Sequence, residues 1–438
     1  MLKRFFISAI FVSILFLLAS CGGNEEASNE KDDEETEESS DNESSSDSYE
    51  MINFTEDFEP ESIDELNDKE ELEIDPDNFT SYEAFDFYDA YDGTIFAESD
   101  DYLFLLDEKT EKNFDLKSLD KKDVPQDSVE NQMYIGVSWG VVSDDTYIYS
   151  TFHEPDLNDD DHIVKIDKKE RTVEYLRKLE ELEMLIDAYD QYILITDEDE
   201  GTFTLYDSEK KEDVWSIDSF YMIDSEVVDD ELLIYGESGI FIYDFETGEE
   251  KVKNEDEEIT NAVFYEDEVY AVYKGESAAD FKYTVARFDV ETGELDDLLE
   301  TPTMPITPDS EDLDVEVINN TLYFYFEIGL MAVDLEAEEI KWIVSAGEDL
   351  TDLFEEDLEF YVDFYDDRIF ALINYGDEEK SSMAEIDLET GEFTQYYDFP
   401  EENQHMTRPI YDPIKEELIY MQKVTQMDEK TKTYLLPL

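Results

Sequence analysis

The feature that most constrains the fold is a short motif, Asp-x-x-Thr-Gly-Glu, which ends a hydrophobic run and recurs about every 46 residues. Its three clearest copies begin at Asp244, Asp289 and Asp387. Weaker copies begin at Asp107, Asp167, Asp207, Asp334 and Asp428. A fixed period in this range marks a repeat architecture, in which each repeat is one unit of supersecondary structure.

The motif predicts a hairpin turn. A β-type stretch such as 240–243 precedes it, and a second extended stretch such as 393–397 follows it. Aspartate at the start of a turn can accept a hydrogen bond from the backbone two residues on, and glycine supplies a left-handed residue near the end. We therefore expect two antiparallel strands on either side of each copy.

A second turn, such as Asp92-Gly93 or Asn319-Asn320, lies upstream of each motif and leads into another apolar strand. Together the turns give four strands per unit and eight units. This pattern predicts an all-β protein, a β-propeller of four-stranded blades. We expect eight blades, with seven as the alternative, because the first and last units are imperfect.

The last unit contains strands near 418–421 and 433–436, after which the sequence gives no outer strand. Closing the ring then needs a strand from before the first unit, from either 71–74 or 83–87. Such a strand would remove a free sheet edge, which favours aggregation when left exposed.

The amino terminus predicts export. Lys3 and Arg4 precede an apolar run from Phe5 to Leu18, which is typical of a secretory signal and too short for an ordinary membrane span. The run ends in Leu18-Ala19-Ser20-Cys21, which resembles the bacterial lipobox. That resemblance implies cleavage before Cys21 and its lipidation, with the acyl chains as the contact with the bilayer. Cys21 is also the chain's single cysteine. A signal peptide with a chance cysteine is the alternative.

The pattern predicts four segments: a signal peptide at 1–20, a lipidated cysteine with a disordered acidic tether at 21–48, a transition segment at 49–80, and the propeller at 81–438. The tether is rich in Glu, Asp and Ser and cannot bury enough apolar surface to fold. Within the transition segment, 60–66 could form one short helix. A long polar tether suits a thick wall, so we favour the outer face of the cell membrane in a Gram-positive envelope.

The charge balance is extreme, with 124 acidic residues against 30 basic ones and a formal net charge of −94. Such a chain repels nucleic acid and anionic membrane surfaces. Because the acids are spread along every repeat, we interpret them mainly as adaptation to a saline or alkaline habitat. A sink for cations or basic peptides is the functional alternative.

Few residues are candidates for chemistry. The chain has three histidines, His153, His162 and His405, and no Gly-x-Ser-x-Gly motif. Oxygen ligands at Asp156, Asn158 and Asp160, with Asp167 at the twelfth position, imitate a calcium loop. The sixth position, where such loops need glycine, is aspartate. We therefore expect no cofactor, and leave Ca²⁺ at this loop, or at the acidic loop 197–201, as a possibility.

The long loops between the second and third strands, together with the connections between blades, should share one face. Variable loops on a rigid scaffold are the usual place for binding. They include 156–161, 197–201, 274–282, 374–382 and the proline-rich connection 301–308.

The repeat resembles the PQQ-like (quinoprotein-like) propeller repeat, in which Ala-x-Asp-x-x-Thr-Gly precedes a tryptophan. Ala332, Asp334 and Trp342 match it, and Asp207 and Trp215 keep the same eight-residue offset. The resemblance covers roughly 90–436, but only three copies keep Thr-Gly. It implies a propeller fold, and lipid-anchored propellers of this type include an envelope assembly factor that scaffolds protein contacts. The quinone-binding and calcium residues of the dehydrogenases have no counterpart here.

These observations favour a non-catalytic binding or scaffolding module at the cell envelope, whose partner is another envelope or extracellular protein. A polysaccharide-active or degenerate quinoprotein-like enzyme is the alternative, and a cation or solute sensor is a third hypothesis. An enzyme would need convergent buried acids or histidines with shifted pKa values at the mouth of the central channel.

Overall fold

The computed structural model describes a propeller domain within residues 49–438. The described residues are 49–53, 61–66, 69–74, 86–99, 102–107, 110–112, 135–136, 141–144, 146–153, 161–180, 183–197, 201–218, 222–228, 230–266, 268–274, 282–302, 313–326, 329–345, 358–365, 368–375, 380–399, 406–422 and 431–438. The predicted signal peptide, Cys21 and the predicted tether lie outside them. No helix in the described part is long and apolar enough to cross a bilayer.

Three strands precede the first repeat, with one 3₁₀ turn between them: β1 (Glu50–Asn53), β2 (Glu61–Ser62), the turn Ile63–Glu65 and β3 (Glu70–Ile74). Blade I contains β4 (Asp86–Tyr91), β5 (Thr94–Ser99), β6 (Tyr102–Asp107), β7 (Thr110–Lys112) and β8 (Ile135–Gly136). Blade II contains β9 (Val141–Ser143), β10 (Tyr147–His153), β11 (Asp161–Asp167) and β12 (Val173–Lys178). Blade III contains β13 (Glu183–Tyr189), β14 (Tyr192–Asp197), β15 (Thr202–Asp207) and β16 (Glu212–Asp218).

Blade IV contains β17 (Met222–Val228), β18 (Glu231–Gly236), β19 (Gly239–Asp244) and β20 (Glu250–Asn254). Blade V contains β21 (Ile259–Tyr265), β22 (Glu268–Lys274), β23 (Tyr283–Phe288) and β24 (Leu295–Glu300). Blade VI contains β25 (Leu313–Ile318), β26 (Thr321–Phe326), β27 (Gly329–Asp334) and β28 (Glu339–Ser345). Blade VII contains β29 (Leu358–Tyr365), β30 (Arg368–Tyr375), β31 (Lys380–Ile386) and β32 (Phe393–Asp398). Blade VIII contains β33 (Ile410–Asp412), β34 (Glu417–Met421) and β35 (Thr431–Pro437).

The described strands thus form eight sheets, one for each predicted repeat unit, and the strands within each repeat are antiparallel. The prediction of an all-β propeller of four-stranded blades is confirmed. Consecutive sheets are joined by hydrogen bonds around a closed cycle: Tyr88 to Val141, Tyr149 to Asp190, Trp215 to Phe245, Asn254 to Gly293, Asn320 to Tyr265, Tyr323 to Leu388, Asn374 to Met406, and Gly93 to Asp412.

The hydrophobic core lies between the faces of neighbouring blades. All six residues of β26 are buried, because blade VI packs against a neighbour on each of its two faces. One cluster combines Tyr323 and Trp342 of blade VI with Ile369 and Ile386 of blade VII. Another joins blades V and VI in the same way. Alternating strand residues therefore fill two different interfaces, which explains why the sequence shows apolar runs rather than simple alternation.

The amino-terminal segment completes the rim of three consecutive blades. β1 pairs in parallel with β28 of blade VI, and β2 pairs in parallel with β32 of blade VII. β3 pairs antiparallel with β35 and supplies the outer strand of blade VIII. The predicted donation of a strand from 71–74 is confirmed, whereas the two described residues of the alternative region 83–87, Asp86 and Phe87, begin the inner strand β4. The propeller consequently extends to β1, beyond the expected boundary at residue 81, and the expected short helix is the 3₁₀ turn.

Asp412 joins blade VIII to blade I. Its buried carboxylate accepts hydrogen bonds from the backbone N–H groups of Asp92 and Gly93 in the first turn of blade I, at 3.0 and 2.6 Å. It also accepts from the N–H groups of Ile414 and Lys415 in its own turn, at 3.0 and 3.1 Å. One side chain therefore satisfies four backbone donors at the place where the first and last blades meet. Hydrogen bonds to a charged acceptor contribute more to stability than those between neutral groups.

Replacing Asp412 with Ala should lower the free energy of unfolding by about 3 kcal/mol, because four backbone N–H groups lose the buried carboxylate that accepts their hydrogen bonds. Chemical denaturation of wild type and variant measures the change. Asp289→Ala, which removes an exposed turn carboxylate, is the matched control and should cost less. An equal loss in the two variants would contradict the role of Asp412 in closing the ring.

Candidate functional site

The repeat-turn aspartates share one geometry in six blades. In each, Asp Oδ1 accepts hydrogen bonds from backbone N–H groups two or three residues later, at Asp167, Asp207, Asp244, Asp289, Asp334 and Asp387. The fifth residue of the turn has a positive φ, for example 68° at Gly248 and 77° at Gly293. Asp107 ends β6 and pairs with Thr110 across a shorter turn, and Asp428 lies outside the described residues. The motif is thus a device for turning the chain.

The turn glycine also receives a tryptophan from the preceding blade. A Cβ at Gly248 would lie 2.7 Å from Trp215 Cγ, and a Cβ at Gly391 would lie 2.7 Å from Trp342 Cδ2. Trp215 Nε1 donates to the carbonyl of Phe245, which follows the turn aspartate. Sequence reasoning found the Asp-to-Trp spacing within one repeat, but not that the indole packs on the glycine of the next repeat. Through this contact, the outer strand that carries the tryptophan packs against the repeat turn of the next blade.

A line of carboxylates on the inner strands also links the blades. Asp89 in β4 forms a fully buried ion pair with Lys168 of blade II. Glu226 in β17 accepts from the backbone N–H of Phe264 in blade V at 2.8 Å. A buried charge is tolerated only when it is paired or hydrogen-bonded. These acids therefore act as connections between blades.

Asp363 and Arg408 form the most accessible of these connections. Arg408 Nε donates to Asp363 Oδ1 at 2.8 Å, and its Nη2 donates to the carbonyl of Val362 at 3.1 Å. About 33% of the Arg408 side chain remains exposed, against 12% for Asp363. Burial raises the pKa of Asp363, although the guanidinium opposes the shift. Burial would lower the pKa of Arg408, but the neighbouring carboxylate holds it above its ordinary value. The pair places the guanidinium of Arg408 beside β29, the first strand of blade VII.

Lys165 lies between blades II and III. Its Nζ lies 3.7 Å from the ring centroid of Tyr147 and 3.2 Å from Ser208 Oγ. Burial lowers the pKa of this amine. Because the side chain is buried behind the tyrosine, the arrangement stabilises the interface through a cation–π contact rather than offering an accessible nucleophile.

The candidate calcium residues Asp156, Asn158 and Asp160 lie outside the described residues. The structure does describe Asp167, the proposed twelfth position, at the end of β11. Because β11 runs straight from Asp161 to Asp167 against β10, Asp167 is about 20 Å from the start of that strand. The Oδ1 atom of Asp167 is used by its own turn. Asp167 therefore cannot bind the same calcium ion as Asp156, Asn158 and Asp160. Calcium binding by those three residues stays a prediction.

Two of the three histidines, His153 and His162, lie on the paired strands β10 and β11. His162 is buried in β11 beside Tyr175, with ring centroids 5.3 Å apart. His153 ends β10 opposite Asp161, one register position from the pair that His162 makes with Phe152, and His405 lies outside the described residues. Within the described residues, no group of three His, Cys, Asp or Glu side chains could hold a metal ion.

Basic residues are engaged with neighbouring acids. Ion pairs within the described residues involve Lys69, Lys168, Arg177, Lys210, Lys211, Lys251, Lys253, Lys282, Arg287, Lys341, Arg368, Lys380 and Arg408. The exposed pairs among them contribute little to stability, unlike the buried pair of Lys168. Because acids greatly outnumber bases, pairing of the bases leaves an excess of negative charge.

The propeller fold has a counterpart among solved structures. BamB from Moraxella catarrhalis is similar with a TM-score of 0.50 at 12% sequence identity, and the match covers 83% of this chain and 96% of that one. At this identity the likeness concerns the fold alone, and it supports the PQQ-like propeller resemblance at that level. No protein-family model matches the sequence, and no curated protein does either.

A methyl group at the turn glycine should disrupt docking of the tryptophan. Gly391→Ala is expected to lower the free energy of unfolding by about 1–3 kcal/mol more than Gly93→Ala, because of overpacking against Trp342. The two glycines have similar φ values, 72° and 79°, but a Cβ at Gly93 would have its nearest atom at 3.5 Å. The comparison thus separates packing from backbone strain. Equal losses in urea denaturation would refute the packing argument.

The turn aspartates should also contribute a pH-dependent term. Hydrogen bonds from the backbone N–H groups of Thr292 and Glu291 lower the pKa of Asp289. Because its folded pKa lies below the unfolded value of about 3.9, the ionised carboxylate stabilises the fold above that pH. This stabilisation is lost as the pH falls through the folded pKa.

The measurement is the difference in free energy of unfolding between wild type and Asp289→Asn across pH 7 to 3. It should be largest at neutral pH and shrink below about pH 4, since asparagine does not titrate. Glu291→Gln removes one charge from the same turn without removing the acceptor, and it serves as the control for general charge repulsion. A difference that stays constant with pH would rule out the contribution of the turn carboxylate.

Proposed function

We propose that this protein is an exported, lipid-anchored β-propeller that serves as a non-catalytic binding or scaffolding module at the cell envelope. The observation that carries the proposal is the closed ring of blades, in which inner-strand carboxylates such as Asp89, Glu226 and Asp363 contact another blade. Such a ring is a rigid support for loops. These inner-strand carboxylates serve to hold blades together. Cys21 would carry the lipid, and the acidic segment after it would be the tether.

The partner is another envelope or extracellular protein, held on the loop face. This name denotes the end of the propeller at which the second and third strands of each blade and the successive blades are connected; Lys274 and Glu300 lie at its described border. The opposite end, the turn face, carries the repeat turns, including Glu291 and Glu336. Connections of the first kind are the longer ones, and loops on a rigid scaffold usually carry binding.

The inner carboxylates bear on the enzymatic alternative. Glycoside hydrolysis needs two carboxylates flanking a substrate with separated pKa values. Among the described inner-strand acids, Asp89 and Asp363 are each paired with a cation, and Glu226 accepts a backbone donor of the next blade. Asp187, Asp224 and Asp314 each accept a hydrogen bond from the backbone N–H of the following residue. These contacts favour the scaffolding function over an acid–base pair.

Photo-cross-linking from the two faces tests the proposal. A photoreactive phenylalanine analogue at Lys274 or Glu300 should capture one and the same envelope protein in intact cells. The same analogue at Glu291 or Glu336 on the turn face is the matched control and should not capture it. Absence of a specific product from the loop face, or identical products from both faces, would overturn the proposal.

A further inference from the structure

The rim of blade VI shows how this propeller accepts an added strand. β1 lies parallel to β28, with Glu50 opposite Trp342, Ile52 opposite Val344 and Asn53 opposite Ser345. Ile52 Cδ1 packs over Gly391, where a Cβ would lie 2.7 Å from it. The side chain therefore fills a groove between the indole of blade VI and the turn of blade VII. Ile343 and Val344, which pair with the added strand, are completely buried.

Blade III has the same outer-strand geometry. β16 pairs with β15 in the register that β28 makes with β27, and both pairs contain a bulge at the same place. Trp215 and Gly248 correspond to Trp342 and Gly391, each with the indole against the glycine of the next blade. The internal repeat thus rebuilds, at blade III, the groove that Ile52 occupies at blade VI.

The edge of blade III differs in being open. In the described residues, β16 is the terminal strand of its sheet, whereas β28 is covered by β1. Trp215 is 9% exposed against 2% for Trp342. Val214, at the bulge, is 38% exposed, which makes it one of two large hydrophobic residues exposed among those described. An exposed strand edge is a template for pairing with another chain.

The charges of this edge indicate the kind of partner. Glu212, Asp213 and Asp218 are exposed along β16. Arg177 lies 3.3 Å from Asp213 and balances only part of this charge. Addition of an extended peptide to a sheet edge draws affinity from main-chain hydrogen bonds and specificity from alternate side chains. The aliphatic side chain would enter the groove, and its neighbours would face carboxylates.

We propose that the outer edge of blade III, strand β16, docks an extended segment of a partner protein in which an aliphatic residue is flanked by lysines or arginines, and that this segment adds parallel to β16 as β1 adds to β28. The inference rests on the proposed scaffolding function and assigns it a second contact, outside the loop face.

The test uses a fluorescent peptide in which the Met-Ile-Asn core of β1 is flanked by two lysines on each side. Fluorescence anisotropy with the full-length protein in detergent, at physiological salt, should show saturable binding. Glu212→Lys/Asp218→Lys should weaken it at least tenfold. Glu336→Lys/Glu339→Lys makes the same change of charge beside the covered edge of blade VI and should leave the affinity nearly unchanged. Absence of saturable binding, or equal weakening by both variants, would overturn the proposal.

Cross-linking locates the peptide. In a Cys21→Ser background, Val214→Cys and Lys341→Cys place a thiol at equivalent bulge positions of blades III and VI. A peptide with a terminal cysteine should form a disulfide with the first variant and little with the second. Equal yields, or preference for Lys341→Cys, would mean that the peptide does not select the open edge, and would also overturn the proposal.

The two proposals can fail separately. If the photo-cross-linker at Lys274 captures its partner from both wild type and Glu212→Lys/Asp218→Lys, and the peptide does not bind, the scaffolding function stands and the strand-addition site is wrong. If the loop face captures nothing, the scaffolding function itself fails.

Discussion

The hydrogen bond from a backbone N–H group to an aspartate oxygen is the interaction on which this structure depends. Within blades it fixes the turn between the third and fourth strands, where Asp244, Asp289 and Asp387 each hold the chain in a reversal. Between blades it closes the ring, since Asp412 binds donors from the first and the last blade. A chain with so many carboxylates has thus put the buried ones at places where the backbone has donors to satisfy.

The same principle governs the scarce cations. Basic residues are outnumbered fourfold, and the structure places several of them where a carboxylate would otherwise be buried without a counter-charge, as Lys168 does beside Asp89. Breaking such a pair leaves an uncompensated charge, which is far more costly than losing an exposed one. Other buried acids, such as Asp412 and Glu226, accept hydrogen bonds from backbone N–H groups instead, and many of the remaining described acids are exposed. Buried carboxylates need a partner because burial removes their hydration, whereas exposed carboxylates keep theirs.

Sequence reasoning reached the fold class because the turn chemistry repeats: each aspartate and glycine has a local backbone reason, visible without knowing the partner strand. It could not place β1 and β2, because their partners in β28 and β32 lie about 300 residues away and strands of two to four residues have no period to detect. It found Trp215 and Trp342 by spacing but not their packing on Gly248 and Gly391, since that contact joins two repeats. Calcium binding at Asp156, Asn158 and Asp160 stays a prediction. Asp167 could be excluded from that site only once the extended course of β11 was known.

The order of attachment along the rim has a mechanical consequence. A load applied through the amino terminus reaches β1 first, then β2 and only then β3. The first two are fifth strands on blades that already have four, so peeling them away leaves both blades complete. β3 is the fourth strand of blade VIII, so its removal would open a sheet beside the seam with blade I. Under such a load β1 and β2 should therefore detach in turn, before the four-stranded blades of the ring are disrupted.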